Sequence, residues 1–195
     1  MSEHNTVVRS LHDLGLAAWF GGSLMGATGL NGAASDASSP SERLRLASAG
    51  WARWAPWQLA AIGAHAVGGL GLIVANRSRV RNQPGAKAAT VVKLALTAAA
   101  AGSTAYSGML GARVKRHEAE GASGATEPGA NASDDLASAQ RQLKLLQWVT
   151  PALTGAALVL GAVHGEQQRG PGGWLDYSAR DVGEAAVRTL KKRVA

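Results

Sequence analysis

Histidine 65 is the residue in this chain best placed to do chemistry. It sits near the centre of Trp54–Asn76 (WAPWQLAAIGAHAVGGLGLIVAN), a stretch with no formal charge. If that stretch crosses a bilayer, an ionisable imidazole lies at membrane depth, where such groups are costly and mark ligand or proton paths. An imidazole can ligate haem iron or copper, or carry a proton. One histidine alone specifies neither metal nor partner, and no second one is expected at mid-depth to complete a bis-histidine haem. A neutral imidazole hydrogen-bonded to a neighbouring helix accounts for the same position. A second group consists of His12, Asp13, Lys93, His164 and Glu166, all expected near one membrane boundary. Together they would bind an anion, relay protons or tie helices to one another. Taken singly, each is explained by long side chains snorkelling to the interface and by solvation of helix ends.

Most other chemistries have no residues to carry them. The chain contains no Cys, which removes thiolate metal sites, disulfides and cysteine nucleophiles. Its glycine-rich stretches lack the GxxxxGK[ST] and strand–GxGxxG–helix contexts of phosphate loops, and there is no HExxH or serine elbow. We therefore expect a non-enzymatic protein without a cofactor. The formal net charge of +7 lies mainly beside apolar runs and carries no nucleic-acid motif. Anionic lipid head groups are the expected counter-charge, and nucleic acid is not an expected partner.

The elements that would position these residues are apolar helices. Four stretches read as spans, at about 12–34, 54–76, 90–112 and 145–165. Trp54 and Trp57 mark the front of the second span as an interfacial aromatic belt, and Arg77, Arg79 and Arg81 crowd its exit. Small residues give three of the spans a packing seam: Gly22 and Gly26 in the first, Ala64 and Gly68 in the second, Gly161 and Gly165 in the fourth. Residues 35–53 read as a polar connection with a cap at Ser38–Glu42, and Pro56 as a first-turn proline. Residues 76–89 read as a tight basic loop, and 113–136 has the composition of a mobile loop before a short helix begins at Ser133. From Leu175 to Val194 apolar residues recur at helical spacing among arginines and lysines, the pattern of a basic amphipathic helix on a membrane surface.

The sequence His12–Gly22 (HDLGLAAWFGG) resembles the first-helix signature of small bacterial four-span membrane proteins of the copper-resistance-D type. That resemblance implies a bacterial inner-membrane location and a copper-related role in which His12 takes the place of the family's histidine. The chain departs from the family in lacking a further intramembrane His or Met cluster, since Met25 and Met109 stand alone.

The expected architecture is all-α: an integral-membrane four-helix bundle over residues 1–169, with an amphipathic tail at 170–195. Lys and Arg are more numerous on the side of the termini, which places both termini in the cytoplasm of a multi-pass cell-membrane protein. The expected role is a structural or accessory subunit that meets membrane lipid and either a larger membrane complex or further copies of itself. The alternative is a small transporter or metal- or haem-binding membrane protein using His65 with His12 or Lys93. A soluble Ala-rich bundle is the third reading.

Overall fold

A computed structural model of the protein describes residues 4–82 and 84–167; the amphipathic tail expected at 170–195 lies outside them. The chain divides into two units, Met1–Leu158 and Val159–Ala195. Everything below concerns the first unit unless stated.

The described residues are helical, apart from their connections and an isolated bridge between Ala122 and Pro128. Helix α1 (His4–Met25) passes through a π-helical turn at Gly26–Leu30 into α2 (Asn31–Ser35). Then come α3 (Pro40–Ala75), the short α4 (Arg77–Asn82), α5 (Pro84–Arg116), a 3-10 turn at Glu118–Glu120, and α6 (Asp134–Gln167). Three segments, Pro40–Ala75, Lys87–Arg116 and Asp134–Val163, are long and apolar enough to cross a membrane. The first of the four expected spans is not among them: α1 has 22 residues and is long enough, but it is not apolar enough, and a π-turn follows it.

Local chemistry explains where α3 begins. Ser39 is extended and its hydroxyl accepts from Glu42 N at 3.1 Å, while Pro40 occupies the first turn, where its missing N–H costs nothing. From there the helix runs 36 residues, about 54 Å, against a hydrocarbon core of about 30 Å. Three expectations are corrected as a result. The stretch 40–53, expected to connect two spans, is helical because its Leu, Ala and Arg residues favour a helix although they are not uniformly apolar. Pro56 lies inside α3, not in a first turn. Within residues 76–89, Arg77–Asn82 folds as α4 and the stretch from Pro84 as the start of α5.

Successive long helices run antiparallel. His12 lies beside His65 and Gly26 beside Trp51, so α1 and α3 pair along most of α1. Ser103 bonds Thr150, and Tyr106 bonds Gln142 at 2.5 Å, pairing α5 with α6 in the same manner. One apolar cluster, formed by Leu16, Trp19, Ala61, Ala100 and Ala157, lies at mid-helix. Another, formed by Leu44, Leu110, Val114, Ala122, Leu136 and Ala139, lies where α3 and α6 start and α5 ends.

The connection between α5 and α6 belongs to that second cluster, which corrects its reading as a mobile loop. Ala122, Ala125 and Thr126 are buried, and helices on either side supply the hydrogen bonds that the connection cannot make for itself. Arg43 donates Nε to Ala37 O at 2.9 Å and Nη1 to the carbonyls of Ala122 and Ser123 at 3.3 Å. Gln140 Nε2 donates to the carbonyls of Gly124 and Ala125 at 3.1 and 3.2 Å. Glu120 accepts from Ser133 N and His117, whose other nitrogen reaches Asp135 at 3.1 Å. Ser133 caps one long helix rather than a short one, with its hydroxyl 3.4 Å from Leu136 N.

Candidate functional site

The site forms where α1 crosses α3. Each helix carries a histidine followed three residues later by a glycine, His12–Gly15 and His65–Gly68, and each glycine makes room for the other helix's histidine. A Cβ on Gly15 would lie 2.5 Å from His65 N, and one on Gly68 would lie 2.7 Å from His12 Cα and from Val8 O. Only the absence of side chains at these two positions permits the backbones to meet.

That approach brings the imidazoles face to face, with centroids 4.1 Å apart and planes at 18°. The hydrogen bonds are reciprocal. His65 Nδ1 is 3.1 Å from His12 O, and His12 Nδ1 is 3.2 Å from His65 O. A ring nitrogen facing a carbonyl must carry the hydrogen, so both rings hold the proton on Nδ1. His65 Nε2 then accepts from the Thr97 hydroxyl of α5 at 3.3 Å, which completes its hydrogen bonding. His65 is 4 % exposed, and Trp19 closes one side of it edge-on with centroids 6.3 Å apart. Trp19 itself donates Nε1 to Thr104 of α5 at 3.1 Å.

This geometry joins three helices and leaves His65 no lone pair for a metal. The two rings present faces, not nitrogens, to each other, so they do not converge on a common ion. No group of three or more His, Cys, Asp or Glu side chains among the described residues could hold one. His12, expected at the membrane boundary apart from His65, is at the same level as His65. Asp13 and Lys93 lie in the same neighbourhood: the charge of Asp13 acts on both His65 and Lys93, and Arg9 opposes it at Lys93. His164 and Glu166 lie on α6 in the second unit, and their side chains are outside the described residues, as is that of Gly165. Gly161 belongs to the second unit too.

The glycines of the first expected seam act differently from those of the crossing. Gly22 and Gly26 receive the rings of Trp54 and Trp51, not a helix backbone. Trp54, expected in an interfacial belt, therefore turns inward with Trp51, while Trp57 stays 69 % exposed. Trp51 Nε1 donates to Asn31 Oδ1, and Asn31 Nδ2 donates to Gln147 Oε1, both at 2.9 Å. Asn31 follows immediately on the π-turn, whose additional residue per turn resets the helix face and brings Asn31 inside. Beside this chain of bonds lies a cavity of about 320 Å³ lined by α1, α3, α5 and α6.

The sequence did not reveal the His12–His65 pairing or the Trp51–Asn31–Gln147 chain. The shared His-x-x-Gly spacing was the available signal for the first. An Asn and a Gln in otherwise weakly polar helical stretches was the signal for the second. No family model, no curated protein and no solved structure matches the chain.

Proposed function

We propose that this chain is a multi-pass membrane protein with four spans and cytoplasmic termini. We assign it a non-enzymatic role, as a structural or accessory subunit of a membrane complex or of an oligomer of itself. The observation that carries the reading is how the mid-helix polar groups are used. His12, His65 and Thr97, Trp19 and Thr104, and Ser103 and Thr150 bond one another and hold helices together. Meanwhile Leu14, Leu59, Val67 and Leu70, all more than 60 % exposed, point outward and need lipid or another protein to cover them.

Purification of the full chain in mild detergent from its native membrane, with mass spectrometry, metal analysis and an absorption spectrum, tests this. A stoichiometric membrane-protein partner or a stable homo-oligomer, without chromophore or metal, supports the reading. A bound metal or haem lost in His65→Ala replaces it with the transporter or metal-binding alternative. Release of the chain by carbonate without detergent refutes membrane insertion altogether.

A further inference from the structure

The cavity is open where two small-residue faces fail to meet. On α5 it is lined by Ser107, Gly108 and Gly111, and on α3 by Ser48, Ala52 and Ala55. At the crossing of α1 and α3, glycines bring backbones into contact. Here, by contrast, a Cβ on Gly108 or Gly111 would find no atom within 4 Å. The protein leaves this space to something else.

Its polar groups without a full set of partners among the described residues stand at two ends. Because α3 and α5 run antiparallel with His65 opposite Thr97, Ser48 stands near Lys115 at one end and Gln58 near Thr104 at the other. Thr104 and Lys115 are separated by about 16 Å of helix. Lys115 is the only charged residue lining the cavity, and it forms no ion pair among the described residues. At the other end no hydrogen bond among the described residues engages the Gln58 amide or the nearby Ser107 hydroxyl, and Thr104, which accepts from Trp19, still has its own hydrogen to donate. Between the ends the walls are largely Ala, Gly and Leu, and the polar side chains there, Trp51, Asn31 and Gln147, bond one another. Gln58 is half-buried and faces the cavity, so its carboxamide can donate to or accept from a ligand at this end.

We propose that the cavity binds an elongated bipolar amphiphile. Its carboxylate or phosphate head lies at Lys115 and Ser48, its apolar body runs past Gly111 and Gly108, and a terminal hydroxyl or carbonyl meets Gln58 and Thr104. This assignment needs only the four helices around the cavity, so it stands or falls separately from the accessory-subunit role.

The test is saturable binding of tritiated 12-hydroxydodecanoate, or its phosphate counterpart, to the full chain in nanodiscs of neutral phosphatidylcholine, with empty nanodiscs as blank. One site per chain is expected, and comparison of the two probes identifies the head group. Affinity should fall at least tenfold for 1,12-dodecanediol, which has no anionic head, and by a similar factor in Lys115→Gln, an exposed position where the fold is not at risk. Plain dodecanoate, and Gln58→Leu with the original probe, should each bind several-fold more weakly. Gly111→Leu should abolish binding while leaving thermal stability unchanged or raised, because a Cβ there meets no atom within 4 Å and the rest of the side chain enters the cavity. Partitioning equal to that of empty nanodiscs overturns the proposal. So does saturable binding that is indifferent to both Lys115→Gln and Gly111→Leu.

Discussion

Replacing Gly68 by alanine separates a helix crossing held by backbone contact from one held by general apolar burial. The new Cβ would lie 2.7 Å from His12 Cα and 2.7 Å from Val8 O, both belonging to the α1 backbone. Carbon contacts settle at about 3.5–4.0 Å, so α1 and α3 must part by about 1 Å. The reciprocal His12–His65 bonds, now 3.2 and 3.1 Å, would then exceed the hydrogen-bond range. Overpacking costs about 1–3 kcal/mol, and each interhelical hydrogen bond lost in a membrane protein about 0.6 kcal/mol, for a sum of about 2–4 kcal/mol. Gly63 is the internal control: it lies on the same helix, but a Cβ there meets nothing within 4 Å. Gly63→Ala should stabilise by about 0.5–1 kcal/mol, as glycine removal from a helix interior does. Reversible unfolding in mixed micelles, followed by tryptophan fluorescence, measures both. If the two variants shift the midpoint alike, the backbone-contact account of the crossing is wrong.

A double-mutant cycle of His12→Ala and His65→Ala should give a coupling of about 0.5–1.5 kcal/mol. It reports ring stacking alone, because each hydrogen bond runs to the partner's backbone; zero coupling would dismiss the stack. Arg43→Met removes three bonds to carbonyls of the segments that flank α3, so amide exchange over residues 121–127 should accelerate about tenfold, and unchanged protection would show that another group closes this connection. The Glu120 carboxyl is held below the usual glutamate range by the Ser133 backbone N–H first, then by His117 and the Ser133 hydroxyl. With the folded value below the unfolded one, its contribution is complete above about pH 4.3 and is lost as pH falls through the folded value. Exchange at Ser133 N–H should therefore rise in acid beyond its intrinsic trend, and Glu120→Gln should remove that extra dependence.

Hydropathy made the centres of the helices legible and misplaced their ends. Trp54–Asn76 reads correctly as helix because its apolar side chains form a continuous run. Residues 40–53 do not, because Arg43, Arg45 and Arg53 interrupt the apolar pattern without opposing helical backbone geometry. The Ser39 cap was visible as a local motif, and it marks the start of a 36-residue helix rather than of a short turn. The connection at 117–133 reads as disorder because its own composition contains little to bury. Its order comes from Arg43 and Gln140, 79 and 16 residues away from the carbonyls they bond, and no local window registers such partners. For the same reason His65 could be placed on a packing face while its partner could not be named. Pairing with His12 depends on the register between two helices, and that register is set by Gly15 and Gly68.

The antiparallel pairing of neighbours has a consequence for biosynthesis. His12 and His65 are 53 positions apart and Ser103 and Thr150 are 47; of the bonds that join the two pairs, Trp19–Thr104 and Asn31–Gln147 span 85 and 116, and His65–Thr97 spans 32 but needs α5 to have been made. A growing chain therefore possesses everything needed for its amino-terminal hairpin once Ala75 has been made, with well over half the polypeptide still to be synthesised. Closing that hairpin early spares it the entropy of a longer search, and the later hairpin docks onto a preformed surface. The crossing of glycines and histidines is thus a fastening that can close during translation, before any contact between the halves can exist.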